Sequence, residues 1–360
     1  MNILQIVPSL KPSGPVNVSC DLVNIFTDNR HGCYVLYFDE CSNKCNFNAE
    51  CFCFSQYNDI PWDKIDIVHA HGYRPTRLLN RIRKEYPNIA RVTTIHNYVF
   101  NDFKYEYGYV KGGIASLMFL YAVLKSKSSI VTLSNDAQKY YKKLLPGQRI
   151  YSSYNSRQIE HLIIDKDDLQ IFDNLKKENV VLGIVSVLNK RKNIASAIKV
   201  MKFLPDNYTL CIIGSGPDEN NLKLLSQKLG LCNRILFLGF RNRAYRYMNY
   251  FDLYLLPSKS EGFPLSLIEA SAAKCGSVVA NLPMIKEVYT DKKDIIITDP
   301  DNYPKFANDI KLAYKTKGLG YNAYDIYCKN FTLQKLYDRY FDIYCDAINL
   351  LKINSKIETR

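Results

Sequence analysis

The 360-residue chain has no apolar run near the roughly 20 residues that a bilayer-crossing helix needs. Its longest candidate, Ile114 to Leu124, is about half that length and reads as a buried helix. The opening residues MNILQIVPSL have no basic group ahead of their apolar run and no small-residue cleavage site, so they read as a strand and not as a secretory leader. Acidic residues are scarce beside basic ones: 35 Asp and Glu face 48 Lys and Arg, a net charge of +13. No zinc finger, RNP pattern or other nucleic-acid module accompanies that excess. Internal repeats and low-complexity tracts are also missing, which excludes solenoids and arrays. With 47% hydrophobic and 23% charged residues, the composition is that of a globular chain and excludes intrinsic disorder.

Cysteine, by contrast, is plentiful. Eleven cysteines without a leader point to a reducing compartment, and a cytoplasmic protein is expected. Cys41, Cys45, Cys51 and Cys53 lie close together and not far from His31, but their spacing matches no common zinc knuckle. Free thiols in a strand-loop region are the simpler reading, and no metal or cofactor is expected. Tyrosine is also abundant, at 28 residues, and interleaves with lysine at Lys104–Tyr109 and Lys139–Lys143. That pattern with the positive charge suits an anionic membrane surface. A solvated basic surface is the alternative, and no nucleic-acid partner is expected.

The length fits two domains. In the first half short apolar runs alternate with helical stretches: strands at Ile3–Val7, Tyr34–Phe38, Ile65–His69, Ala90–Ile95 and Ile130–Leu133, helices at Val16–Phe26 and Thr76–Glu85. The apolar signal drops at Asp165–Asn179, which reads as the connection. The alternation then restarts with strands at Val180–Val187, Thr209–Ile213, Ile235–Phe237 and Leu253–Leu256, and helices at Asn193–Met201, Asn220–Leu229 and Tyr245–Tyr250. Such alternation implies parallel βαβ units. The expected architecture is therefore α/β, with two Rossmann-like doubly wound domains at residues 1–165 and 178–325, followed by a C-terminal helix in 326–360 that returns towards the first domain. Ligands of such sheets bind beyond the carboxyl ends of the strands, so the cleft between the domains is the expected site.

The segment Pro257–Ala270, PSKSEGFPLSLIEA, carries the clearest chemistry. A strand ends at Leu256, and Pro264 suits the first position of a helix because its missing N–H is not needed there. Gly262 permits close backbone approach. The amides of Gly262, Phe263, Leu265 and Ser266 then form an anion site at a helix start. Glu261 and Glu269 flank it, and carboxylates beside a phosphate are favourable only if they hold something else, such as the hydroxyls of a sugar and a ribose. A plain helix with acids in its first turn and on its face is the structural alternative.

This segment resembles the E-x7-E signature of glycosyltransferase family 4, a GT-B family. Further elements follow in the order of that family: Leu210–Gly216 (LCIIGSG) with Pro217, Phe237–Gly239 (FLG), Phe251–Leu256 (FDLYLL), and Glu287–Val288 after Pro283. Val185–Asn193 (VSVLNKRKN) lies where the family has a strand and then Gly-Arg-Leu-x-x-x-Lys-Asn. Ser186 and Val187 replace the Gly and Arg of that loop, whereas Lys192 and Asn193 are in register. The resemblance implies that Arg and Lys hold the nucleotide diphosphate, so Lys190 or Arg191 is the expected substitute for the missing arginine, beside Gly214 and Gly216 of the glycine element. In the first half the likeness is looser. Ser13–Gly14–Pro15 stands at the family's glycine loop, and DIVHAHG (66–72) and TIHN (94–97) match its two histidine-bearing strand ends. By that resemblance His96 reaches the reacting sugar or acceptor, as hydrogen-bond donor or acid/base; His69 and His71 read as structural histidines, and His71, Ser13, Gly14 and Ser134 lie on the acceptor side, with Asn155 near them or in a turn.

The resemblance implies a retaining, metal-independent transfer of a sugar from a UDP- or GDP-linked donor to a hydroxyl acceptor. Glu261, His96 and Lys192 are the expected catalytic residues. A lipid-linked glycan of a bacterial surface polysaccharide (O-antigen or capsule) is the expected acceptor, at the inner face of the plasma membrane. A GT-B-like nucleotide-sugar epimerase and a non-catalytic binding subunit remain as alternatives. Asp165-x-Asp167 and Asp299-x-Asp301 have the spacing of a metal motif but follow no suitable strand.

Overall fold

The apolar runs fold into two parallel sheets, each with helices on both faces. The computed structural model describes residues 1–160 and 163–358. The chain divides into two compact units: Met1–Arg157 with Phe331–Arg360, and Gln158–Asn330. The last two residues of the expected C-terminal segment 326–360 lie outside the described residues.

The first unit holds β1 (Asn2–Ser9), β2 (Gly32–Asp39), β3 (Glu50–Cys53), β4 (Ile67–His71), β5 (Ala90–Ile95), β6 (Ser129–Thr132) and β7 (Ile150–Ser152), in the spatial order 3-2-1-4-5-6-7. Its helices are α1 (Gly14–Asp28), α2 (Tyr73–Glu85), α3 (Val99–Tyr107), α4 (Tyr109–Ser126) and α5 (Asn135–Leu144). Every ladder is parallel, with Ile3, Leu4, Gln5 and Ile6 opposite Ile67, Val68, His69 and Ala70. Continuous apolar strands such as these are buried on both faces, as parallel sheets demand. Leu4, Ile6, Val68, Leu79 and Ile82 make one core layer, and Val7, Val16, Val23 and Val35 the other.

The second unit begins with α6 (Lys166–Leu175) and holds β8 (Val180–Val185), β9 (Tyr208–Ile213), β10 (Ile235–Gly239), β11 (Leu253–Leu256), β12 (Gly276–Ala280) and β13 (Ile296–Thr298). Their order is again that of a Rossmann sheet, β10-β9-β8-β11-β12-β13, with all ladders parallel. Helices α7 (Ile194–Val200), α8 (Glu219–Lys228), α9 (Leu265–Ala272), α10 (Tyr303–Lys315) and α11 (Leu319–Asn330) cover it. Helix α12 (Leu333–Glu358) belongs to the first unit, where it buries Leu336, Tyr340 and Tyr344.

Two expectations are corrected. Residues 165–179 are not a plain connection, because α6 buries Phe172 against Tyr247, Tyr250 and Phe251. Its charge, which made the segment look like a linker, is partly internal: Asp168 accepts from Arg241 Nε at 2.6 Å and from the Tyr247 hydroxyl. Ile114–Leu124 is helical, as α4, but it is not a buried helix. Ile114, Leu117, Met118, Tyr121 and Leu124 are all exposed, because the core contact is made by Gly112, Ser116, Phe119, Leu120 and Val123 on the other side.

Candidate functional site

In the second unit the strand order reverses between β8 and β11, and the two loops leaving their carboxyl ends meet there. The β8 loop runs through Ser186–Asn193 and the β11 loop through Pro257–Pro264. Arg191 O accepts from Lys259 N at 2.9 Å, and Arg191 Nη1 donates to Ser260 O at 2.8 Å. Between them lies Glu261, buried, with Lys192 Nζ donating to Oε1 at 2.6 Å and Arg191 Nη1 donating to Oε2 at 3.1 Å. Burial alone would raise this carboxyl, but Lys192 and Arg191 outweigh it and hold the pKa at about 2. The cluster contains two cations and one anion. Burying such a group gains little stability over an apolar core. Its surplus positive charge instead favours a polyanionic ligand at this spot.

The loop shapes follow from local sequence. Asn189 caps the single turn Lys190–Lys192 by accepting from Lys192 N at 3.1 Å. Asn193 then turns left-handed (φ 52°) to start α7, a conformation that asparagine tolerates. The β9 loop packs on this one: Leu188 N donates to Ser215 O, and Asp218 N to Leu188 O, both at 3.0 Å. A Cβ on Gly214 would sit 1.8 Å from Ser186 O, and one on Gly216 would sit 2.3 Å from Leu188 O. Both glycines therefore serve backbone contact between the β8 and β9 loops.

Helix α9 begins at Leu265, with Pro264 as its N-cap instead of its first helical residue. Phe263 is buried, Ser266 Oγ accepts from the Tyr254 hydroxyl at 2.7 Å, and Glu269 is 9% exposed on the next turn. Burial, with the charges of Glu261 and Glu269 added, pushes the Tyr254 phenol well above its ordinary range. Lys190 is exposed and does not join Glu261, which makes Arg191 the guanidinium that accompanies Lys192.

In the first unit the switch point lies between β1 and β4. Ser13 and Gly14 are exposed at the start of α1, where Ser13 makes no side-chain cap. His71 ends β4, and His96 follows β5 directly. Gln5 Nε2 donates to the Tyr344 hydroxyl at 3.0 Å, which leaves Gln5 Oε1 to accept from His71 Nε2 at 2.8 Å. His71 Nδ1 must then accept from His96 Nε2, also at 2.8 Å. Burial depresses all three strand-end imidazoles, His96 to about 3 and His69 and His71 well below their usual value, so each is neutral at pH 7. The relay thus leaves His96 with Nδ1 as a hydrogen-bond acceptor. His69 continues the network, accepting from Tyr344 at 2.7 Å and donating to Thr94 Oγ1 at 2.8 Å.

Ser134 caps α5 by accepting from Ala137 N at 3.0 Å, and Asn155 is buried. Sequence reasoning missed Gln5, Thr94, Tyr340 and Tyr344. Gln5 carried a signal, as a polar residue inside an otherwise apolar strand, and Thr94 stood in the TIHN segment without a role assigned to it. The eleven cysteines are free, and among the described residues no three His, Cys, Asp or Glu side chains converge as a metal site would need. Cys20 Sγ donates to Asn46 O and Cys45 Sγ to Asn17 Oδ1, so these thiols pack the loop that follows β2.

The model of the family "Glycosyl transferases group 1" matches residues 165–326. The chain is 28% identical to the O-antigen biosynthesis glycosyltransferase WclY of Escherichia coli, over 96% of this chain and 98% of that protein. It is 26% identical to the E. coli UDP-Gal:alpha-D-GlcNAc-diphosphoundecaprenol alpha-1,3-galactosyltransferase, over 82% and 79% of the two chains. Among solved structures it shares the fold of Anabaena Alr3699/HepE in complex with UDP-glucose, with a TM-score of 0.81 at 19% identity, covering 96% of this chain and 100% of that one. It likewise resembles WaaG, a glycosyltransferase involved in lipopolysaccharide biosynthesis, with a TM-score of 0.73 at 14% identity over 95% and 99% of the chains. The two Rossmann-like sheets are those of the GT-B fold, residues 165–326 match the group 1 glycosyltransferase domain, and the chain is a glycosyltransferase.

Proposed function

We propose that the second unit binds a UDP-linked sugar and that the enzyme transfers this sugar, with retention, to a hydroxyl of a lipid-linked glycan during assembly of a bacterial surface polysaccharide. The observation that carries the donor reading is the Lys192–Glu261–Arg191 cluster at the switch point of the second sheet. Lys192 and Arg191 neutralise the diphosphate and the charge that grows on it as the sugar leaves. Glu261 keeps both cations in place and offers its remaining lone pairs to sugar hydroxyls. Glu269, one helical turn pair further on, takes the ribose. Gly214, Gly216 and the amides at the start of α9 line the phosphates. His96, with Nδ1 as acceptor, orients a hydroxyl on the acceptor side, where Ser13 and Gly14 also lie.

The relatives supply the remaining support. One is named for UDP-galactose and a diphosphoundecaprenol acceptor, two for O-antigen biosynthesis, and the HepE structures contain UDP or UDP-glucose. An anionic membrane surface at the inner face of the plasma membrane fits the net charge of +13 and an acceptor carried on lipid.

The test is donor binding by calorimetry and transfer to a lipid-diphosphate acceptor with a panel of UDP- and GDP-sugars. One UDP-sugar should bind and be used. Lys192→Ala should weaken UDP binding about tenfold or more, and Glu261→Ala should cut turnover by a factor of about 100 while the protein stays folded. Unchanged UDP affinity in Lys192→Ala together with undiminished transfer in Glu261→Ala would remove the donor site from this cluster.

A further inference from the structure

Helix α4 has two opposed faces. At about 100° per residue, Val110, Ile114, Leu117, Met118, Tyr121 and Leu124 fall within an arc of about 120°. Their exposures run from 43% to 77%. Single exposed apolar residues are ordinary, but a continuous stripe of six is not. The stripe is also fixed in place. Gly112 on the opposite face is so close to α3 that a Cβ would lie 2.7 Å from Phe103 O, so the helix cannot roll its apolar side inward. Lysines border the stripe: Lys111 and Lys125 are exposed on α4, Lys127 is exposed just beyond it, and Lys125 Nζ lies 5.4 Å from the centre of the Tyr121 ring. Residues 107–134 contain no Asp or Glu.

This combination specifies the partner. A second copy of the chain is disfavoured, because two-fold pairing of a stripe bordered by Lys111, Lys125 and Lys127 sets like charges against each other, and lysine is depleted in protein interfaces. A bilayer surface with anionic headgroups accepts both parts: the apolar side chains enter the acyl boundary and the lysines meet lipid phosphates. The 18-residue helix is about 27 Å long, and no helix of the described residues is long and apolar enough to cross a membrane. We propose that α4 is a membrane-docking helix that lies flat in the headgroup layer of an anionic membrane, with Val110, Ile114, Leu117, Met118, Tyr121 and Leu124 inserted. The inference rests on the reading that the acceptor is carried on a lipid, and it names the element that brings the enzyme to that surface.

The experiment is flotation of the full chain with vesicles of phosphatidylcholine alone and of phosphatidylcholine mixed with phosphatidylglycerol. The chain should float with the anionic vesicles, and added salt should weaken the association. The triple variant Ile114→Ser, Leu117→Ser, Met118→Ser and the double variant Lys111→Glu, Lys125→Glu should each bind about tenfold more weakly or worse. All five side chains are exposed, so both variants should keep the wild-type melting temperature and UDP affinity. Wild-type chain that stays off anionic vesicles, or a triple variant that binds them equally well, would overturn the proposal. So would a wild-type dimer in sedimentation that the triple variant abolishes, since a second copy would then be the occupant. A chain that floats as expected but transfers sugar only to water-soluble acceptors would sink the lipid-linked acceptor and leave the docking helix standing.

Discussion

Single residues decide which partner each charged or titratable group meets. Val187 stands where the resemblance calls for arginine, and it is exposed, so that position contributes no cation. Four residues later, in the same loop, Arg191 donates to Glu261, so a guanidinium does lie beside Lys192. The histidine relay shows similar economy. Gln5 fixes which nitrogen of His71 carries the proton, because its oxygen accepts from Nε2 while its amide nitrogen is held by Tyr344. Gln5→Leu keeps the bulk of the side chain but removes both bonds. His71 then has no enforced tautomer, and His96 loses the donor-acceptor sense that leaves Nδ1 open. The variant should lower kcat on the order of tenfold while the KM for donor stays unchanged, because donor and relay lie on different units. Gln5→Glu restores an acceptor for His71 and should recover part of the loss. Equal losses in Gln5→Leu and Gln5→Glu, tracking only a lower melting temperature, would make the relay purely structural.

Elements were legible in the sequence where an apolar run stood out from polar or turn-forming neighbours. Strands such as Ala90–Ile95 and Leu253–Leu256 match their expected limits because an apolar run bounded by turns has few other uses in a parallel sheet. The strands β3, β7 and β13 are only three or four residues long and gave no periodicity to read. Helix α6 was hidden because a charged stretch gives no sign that one of its acids, Asp168, is paired within the fold, and the exposure of α4 was hidden because composition does not tell which side of an apolar helix meets the core. At the site, Glu261 was visible from the acids that flank a helix start, and Lys192 and the two glycines of the β9 loop through the family resemblance, but which lysine or arginine joined Glu261 depended on the turn set by Asn189 and Asn193. The glycines show why the β8 and β9 loops act as one element. Gly216→Ala would drive its Cβ into the backbone of Leu188, which has no flexible end that can yield. The β8 loop must then move and carry Arg191 and Lys192 with it. The expected result is a loss of stability of about 1–3 kcal/mol and at least tenfold weaker binding of UDP, on the order expected when a phosphate clamp is displaced. Gly14→Ala is the control, since a Cβ there meets nothing within 4 Å and its φ needs no glycine; its urea midpoint should match that of the wild type. Full UDP affinity in Gly216→Ala would show that the clamp does not depend on contact between the two loops.

At the scale of the molecule, the two units differ in how they are assembled from the chain. The second is one continuous stretch, Gln158–Asn330, whereas the first is completed only by the segment that begins at Phe331. That segment is not an appendage. It buries Phe331, Leu336, Tyr340, Ile343, Tyr344 and Ala347, and the ring of Tyr344 packs 5.2 Å from that of Phe26 on α1. Burying a large apolar side chain stabilises by about 1.5–3 kcal/mol, so these residues together contribute on the order of 10 kcal/mol, which is comparable to the whole stability of a domain. Their loss also removes hydroxyl partners from groups inside the first sheet: Tyr344 bonds Gln5 and His69, Tyr340 bonds Thr94, and Arg339 reaches Ser153, Tyr154 and Ser156. Each buried polar group left without a partner costs about 1–3 kcal/mol more. A chain ended at Asn330 should therefore contain an unfolded first unit beside a folded second one. Limited proteolysis should degrade residues 1–157 and leave a fragment close to 158–330, which should still bind UDP through Lys192 and Arg191 but transfer no sugar. Hydrogen exchange in the full chain should show α12 opening together with β1, β4 and β5, not with the second sheet. If the shortened chain instead keeps two cooperative transitions with the first at its original denaturant midpoint, the first sheet is self-sufficient, and the tyrosines of α12 serve His69 and His71 without holding the domain together.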